Sequence, residues 1–212
     1  MRDPTLIETV RVRRGIAPLW YLHLRRLASS CKALGVPLPG ELLTPEGGPD
    51  RVHRLAVSRK GLELTARAVP ETSAVRLIVS SVRHEGYPHK TTDRGPFENA
   101  LAGAREAGAD DAILLNPGGL VAETAIWTLL WWEDGRVCGP PLSLGILPSV
   151  ARARIEELVG GSTERRVRPE ALTGRPMLVA NAVRGPVPVT TLEGEWVPEW
   201  PGFSTLIAGF WA

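Results

Sequence analysis

Three short turn sequences constrain this chain more than any other feature: Arg59-Lys60-Gly61, Pro117-Gly118-Gly119 and Glu133-Asp134-Gly135-Arg136. Each separates two β-prone runs by far fewer residues than a parallel crossover needs, so each commits its neighbours to an antiparallel pair. Arg51 to Ser58 is thereby expected to pair with Leu62 to Ala68, and Asp111 to Asn116 with Leu120 to Thr124. Ile126 to Trp132 leads through the third turn to Val137 and Cys138. Thr5 to Arg13 alternates as a half-buried strand requires, with Leu6, Val10 and Val12 on one side and Thr9, Arg11 and Arg13 on the other. Ala74 to Val82 and Met177 to Val183 read as further strands.

Between these runs the apolar period changes. Trp20, Leu24, Leu27, Cys31 and Leu34 recur at steps of four and three and draw one stripe along a helix, which Gly35 and Pro37 end. His23 and Arg26 share another face of that helix and could point together at a ligand. Residues 96–107 open with Pro96 and carry Phe97, Leu101 and Ala104 on one stripe before Gly108. Gly145-Ile146-Leu147-Pro148-Ser149 opens a helix running to Val159. Its first turn could receive a phosphate on bare N–H groups and the helix dipole, or be an ordinary loop entering a helix. The order of elements predicts an α+β protein in two parts. A small α+β domain spans 1–82, a connection 83–89 and a larger β-rich domain 90–212.

At 43% hydrophobic and 23% charged residues the chain can bury a core. A net charge of +2, spread along the chain, gives no reason to expect nucleic acid. Cys31 and Cys138 have neither metal-ligand nor disulfide-framework spacing, which suits a reducing cytoplasm and predicts no metal. Met1 leads into Arg2-Asp3-Pro4 without an apolar run, and no stretch approaches the length of a membrane span. A soluble cytoplasmic protein is the expectation. Of seven tryptophans, Trp196, Trp200 and Trp211 crowd the last seventeen residues, as a core or a subunit interface would require.

Lys90 is the one lysine after Lys60, in a half otherwise basic through arginine. Burial can lower an amine's pKa enough to bare a nucleophilic lone pair, which a guanidinium never offers. Lys90 is therefore either a solvated loop lysine or a candidate Schiff-base lysine.

The ordered segments Glu8-Thr9-Val10-Arg11, His23-Leu24-Arg25-Arg26-Leu27, His89-Lys90-Thr91-Thr92, Ala122-Glu123-Thr124, Gly145-Ile146-Leu147-Pro148 and Asn181-Ala182-Val183-Arg184-Gly185 cover nearly the whole chain. Together they resemble the fold-type IV pyridoxal-phosphate enzymes, the class IV aminotransferase family, with its two-domain D-amino-acid aminotransferase-like fold. Within it His89-Lys90-Thr91-Thr92 and Asn181-Ala182-Val183-Arg184-Gly185, followed by Pro188-Val189, resemble the 4-amino-4-deoxychorismate lyase branch.

The resemblance implies that Lys90 holds pyridoxal 5'-phosphate as a Schiff base and then moves the α-proton. Glu123 matches the acid that pairs with the pyridine nitrogen, where a carboxylate keeps the ring a good electron sink. Arg26 matches the phosphate-binding arginine, Val150 and Ala151 match backbone phosphate donors, and Ala182 is a further phosphate position. Ala151 usually has threonine there, Ala182 threonine or serine, and Thr128 asparagine, so two phosphate hydroxyls are expected to be missing. The chain also starts at what is usually the second strand of the small domain, short of a segment that lines the site in many relatives.

The implied reaction removes pyruvate from 4-amino-4-deoxychorismate to give 4-aminobenzoate for folate synthesis, with a functional link to aminodeoxychorismate synthase and a homodimeric assembly. Thr9, Arg11, Arg94 and Arg184 are candidate substrate contacts, the arginines because the substrate is a dianion. Transamination of a D- or branched-chain amino acid, and a catalytically silent homologue of the fold, are the alternatives.

Overall fold

Alternation in strand β1 (Leu6–Val12) is met by helix α1 (Trp20–Leu34). Leu6 packs with Leu27 and Cys31, and Gly35 closes the helix at a φ of 63°. Strands β2 (Arg51–Ser58) and β3 (Gly61–Ala68) complete a three-stranded antiparallel sheet in the order β1-β2-β3. The register sets Thr9 opposite Arg54. The computed structural model describes residues 4–42, 48–71 and 73–212, and every strand count is a count over these residues.

The second sheet has nine strands. It contains β4 (Val75–Arg83), β5 (Asp111–Leu115), β6 (Val121–Thr124), β7 (Thr128–Glu133), β8 (Arg136–Gly139), β9 (Thr163–Glu164), β10 (Met177–Asn181) and β11 (Gly185–Leu192), in the order β6-β5-β4-β11-β10-β7-β8-β9. Strand β12 (Glu195–Trp196) pairs with β11. The β5/β6 and β7/β8 hairpins form as the turn sequences predict. Helix α2 (Gly95–Glu106) is the crossover that lets β4 and β5 run parallel.

Residues 75–83 correct the expected partition. Instead of closing the first domain, β4 is hydrogen-bonded between β5 and β11, parallel to both. The break between sheets therefore falls before Val75, and residues 84–94 lead from β4 to α2, with Thr91 bridged to Leu6 of β1.

Side-chain alternation divides the core. Ile113, Leu129, Trp131, Val179 and Val187 cluster on one face of the curled sheet. Ala112 and Leu114 pack on the other face with Phe97, Ala100 and Ala104 of α2. Leu130, Leu178 and Ala180 pack with helices α3 (Val150–Val159) and α4 (Phe203–Phe210). Helix α3 begins at Val150, five residues later than the sequence suggests, because Gly145–Pro148 is loop and Ser149 caps the helix. In the tryptophan-rich tail Trp200 is buried, Trp211 meets Phe210 edge-on at 4.8 Å, and Trp196 stays 68% exposed. No helix among the described residues is long and apolar enough to cross a membrane.

Phe210 is fully buried between α3, α4 and the sheet. Phe210→Ala should cost about 3–5 kcal/mol, read as a lowered urea midpoint by circular dichroism; an unchanged midpoint would mean that α4 is not part of the core.

Candidate active site

The segment after β4 is held at both ends. The Ile7 N–H donates to the Lys90 carbonyl at 2.8 Å and the Thr92 N–H to the Thr5 carbonyl at 3.0 Å, so β1 grips the chain on either side of Thr91. The Tyr87 hydroxyl donates to the Thr91 carbonyl at 2.6 Å and accepts from the Thr91 N–H at 2.7 Å. The Tyr87 N–H donates to the Gly145 carbonyl at 2.7 Å. At that crossing a Cβ on Gly145 would lie 3.3 Å from the Gly86 Cα, and its φ is 76°, so glycine suits both the space and the backbone. Lys90 is thus carried to the wall of a cavity of about 370 Å³ between the two sheets. Its surroundings are protein on most sides. Burial, and then the nearby charges of Arg26 and Arg94, bring its amine down to about 7.

Glu123 reaches the same cavity from β6 and is 8% exposed. His84 Nε2 lies 2.7 Å from its Oε1, and the Leu147 N–H donates to that same oxygen at 3.2 Å. Among the described residues no hydrogen bond falls on Oε2. The bend after Glu123 is fixed by buried Asp111, which accepts from the Thr124 hydroxyl at 2.7 Å and from the Ala125 and Ile126 N–H groups at 3.1 and 3.2 Å. Burial raises Asp111 to about 6 despite these donors.

A third group of residues suits an anion. Val150 and Ala151 open α3, where the first N–H groups have no partner within the helix, and Ser149 accepts from the Arg152 N–H at 3.2 Å as its cap. Arg26 donates to Glu8 Oε1 at 2.9 Å and Oε2 at 2.6 Å, and to the Pro148 carbonyl at 3.1 Å. Burial alone would raise Glu8, but the charge and hydrogen bonds of Arg26, with His23, hold it at about 2. Burial lowers His23, whose Nδ1 lies 2.7 Å from Glu8. Ala182 sits at the β10/β11 turn, where Asn181 Oδ1 accepts from the Val183 and Arg184 N–H groups at 3.0 and 2.9 Å.

Of the residues singled out from sequence, Lys90, Glu123, Arg26, Val150, Ala151, Ala182, Thr9, Arg94 and Arg184 all line this cavity, as does Thr128. Arg11 does not. It pairs with Asp50 at 3.0 Å, donates to the Val183 carbonyl at 3.2 Å and lies over Trp211, so its charge is used in the scaffold. Arg54, Arg67 and Arg105 line the cavity and were not foreseen. The signal for Arg54 was its cross-strand place beside Thr9, legible only once β1 and β2 are paired.

The chemistry of the donor set fits pyridoxal phosphate. An amine of lowered pKa, a carboxylate with one open oxygen and helix-terminal N–H groups beside an arginine meet in one cavity.

The sequence matches the family described as Amino-transferase class IV over residues 48–192. It is similar to a Schizosaccharomyces pombe protein described as "Putative aminodeoxychorismate lyase", 26% identical over an alignment of 174 positions that covers 74% of this chain and 75% of that protein. A solved structure described as "Putative 4-amino-4-deoxychorismate lyase" superposes with a TM-score of 0.82 at 25% identity, covering 98% of this chain and 90% of the other. A structure described as "A hypothetical aminotransferase from Mycobacterium tuberculosis, PLP-bound form" superposes with a TM-score of 0.84 at 22% identity, over 97% of this chain and 87% of that one. With the match spanning well over half of its residues, this chain belongs to the class IV aminotransferase family, the pyridoxal-phosphate enzymes of fold-type IV.

Proposed function

We propose that the protein is a 4-amino-4-deoxychorismate lyase, releasing pyruvate and 4-aminobenzoate. The observation that carries this reading is charge. Arg26, Arg54, Arg67, Lys90, Arg94, Arg105 and Arg184 line the cavity against the single carboxylate of Glu123. Among the described residues Arg54, Arg67, Arg94, Arg105 and Arg184 form no ion pair with a carboxylate, whereas Arg26 is paired with Glu8. Burial first, and then repulsion from Arg67, lower the Arg184 guanidinium. Such a field is relieved by an anionic ligand. The cofactor phosphate takes up the part nearest Arg26, and the remainder suits a substrate with two carboxylates better than an amino acid with one.

Bound in the cavity, pyridoxal phosphate supplies an electron sink for the carbon that carries the substrate amine. Val150, Ala151 and Ala182 would offer backbone donors and Arg26 its charge to the phosphate, while Glu123 Oε2 would face the ring nitrogen. Lys90 has two tasks. Neutral, it would be the nucleophile that holds the cofactor, and when free the base that takes the proton from the amine-bearing carbon. Loss of that proton and cleavage of the ether bond to the enolpyruvyl group leave an aromatic ring, and the enol takes up a proton as pyruvate. Arg94 stands fixed beside this chemistry, its guanidinium over Tyr87 and Phe97 and bonded to the Ala125 carbonyl at 2.7 Å. A homodimeric assembly and supply of the amino dianion by a synthase belong to the same proposal.

The assay is release of 4-aminobenzoate and pyruvate by the cofactor-loaded protein. Borohydride should fix the cofactor on wild type and not on Lys90→Ala. Amino-group exchange with a keto acid, without 4-aminobenzoate, would instead make the protein a transaminase. Arg67→Gln should raise KM about tenfold, the order of one lost charge-assisted hydrogen bond, with kcat within about threefold; an unchanged KM would remove the outer arginines from substrate binding.

Lys90 gives a separate expectation. Its amine is lowered in the folded protein, so the unfolded chain binds more protons between about pH 7 and 10.5 and stability contributed at Lys90 rises with pH across that window. Lys90→Met should therefore raise the urea midpoint more at pH 6 than at pH 10. An equal effect at both pH values would show that the amine titrates normally.

A further inference from the structure

His84 stands behind Glu123, on the side away from the cavity. It is 2% exposed, and its ring meets Phe97 edge-on with centroids 5.8 Å apart. The Gly86 N–H donates to Nδ1 at 3.3 Å, so that nitrogen carries no proton and the imidazole hydrogen resides on Nε2, aimed at Glu123 Oε1 2.7 Å away. The His84 N–H donates to the Leu115 carbonyl at 2.8 Å, which splices the residue to β5. Leu114 of that strand is the register partner of Glu123.

We infer that His84 is a positioning residue for Glu123, committing one carboxylate oxygen to the protein and presenting the other to the ring nitrogen of the cofactor, and that it thereby keeps this nitrogen protonated. The inference rests on the reading that the cavity takes pyridoxal phosphate. Two N–H groups converge on Oε1, from His84 and from Leu147, and so commit that oxygen to the protein. Oε2 is left facing the cavity. Deprived of the His84 donor, the carboxylate is free to rotate, and the ring nitrogen would lose a fixed anionic partner. His84 and Lys90 lie on the same short segment, so one stretch of backbone places both the support for the ring nitrogen and the amine.

The test loads wild type, His84→Gln, His84→Phe and His84→Asn with pyridoxal phosphate labelled with 15N in the ring. Glutamine can place an N–H near the Nε2 position; phenylalanine keeps the volume without a donor; asparagine is too short to reach Glu123. Wild type and His84→Gln should give the shift of a protonated ring nitrogen. His84→Phe and His84→Asn should move towards the unprotonated value, with cofactor dissociation constants at least about tenfold higher, near 1.4 kcal/mol. If His84→Phe does not fold, His84→Asn decides. A wild-type shift in the folded donor-free variants, even with weakened binding, overturns the positioning role while leaving the lyase reading intact. Wild type taking up no cofactor overturns both.

Discussion

The hydrogen bonds from β1 to the Lys90 segment are what the rest of the site depends on. Thr5 and Ile7 pair with Thr92 and Lys90, and from the same strand Glu8 grips Arg26 and His23 while Thr9 faces the cavity. Backbone atoms thus set where the amine stands, and alternate side chains of one strand set where the phosphate-side arginine stands. A buried carboxylate such as Glu8 is costly alone. Here Arg26 and His23 offset that cost, and the arrangement confines Arg26 to one orientation against the start of α3. Its guanidinium is then positioned before any ligand arrives, which is what tight anion recognition requires.

The same charges act twice. Arg26 and Arg94 lower the Lys90 amine after burial has done most of the work, and they belong to the field that draws anions into the cavity. A ligand bringing negative charge relaxes both effects together. It neutralises the arginines, and with them part of the pressure that keeps Lys90 unprotonated, so the amine is a better base once substrate carboxylates and phosphate are in place. In the proposed lyase reading, nucleophile in the free protein and proton carrier in the loaded one would therefore be two states of one electrostatic environment.

What was legible in the sequence was local. The hairpins, α1 with its Gly35 stop, and the choice of Lys90 and Glu123, which the structure brings to one cavity, all follow from short patterns or an ordered set of motifs. β4 was misplaced because its partners are β5 and β11, and parallel pairing leaves no turn signature. Arg11 fell on the correct face of β1, but Asp50 and Trp211 neutralise and cover it at the far end of the strand. Arg54 and Arg67 lie on hairpin strands β2 and β3, where no local motif sets them apart from the other arginines. Helix α4, with Thr205, Ile207 and Gly209 in eight residues, has weak propensity and is formed by packing against α3 and β11. His84 and Glu8 could not be assigned because a polar residue beside apolar ones says nothing of its partner until the strands are placed.

At the end of the cavity proposed to take the cofactor phosphate, two missing hydroxyls need not disable the site. Ala151 and Ala182 offer no side-chain donor, yet Ala151 stands in the first turn of α3, where backbone N–H groups have no partner within the helix, while at Ala182 the next two N–H groups are taken by Asn181. Backbone donors do not depend on the side chain, and the dipole of α3 favours an anion whichever residue occupies its first turn. Arg26 spends three N–H groups on Glu8 and Pro148 and keeps the remainder of its fork for a ligand. A threonine would add one neutral hydrogen bond to a charge-assisted set that is already in place, whereas loss of Glu8 would unfix the arginine on which that set is centred.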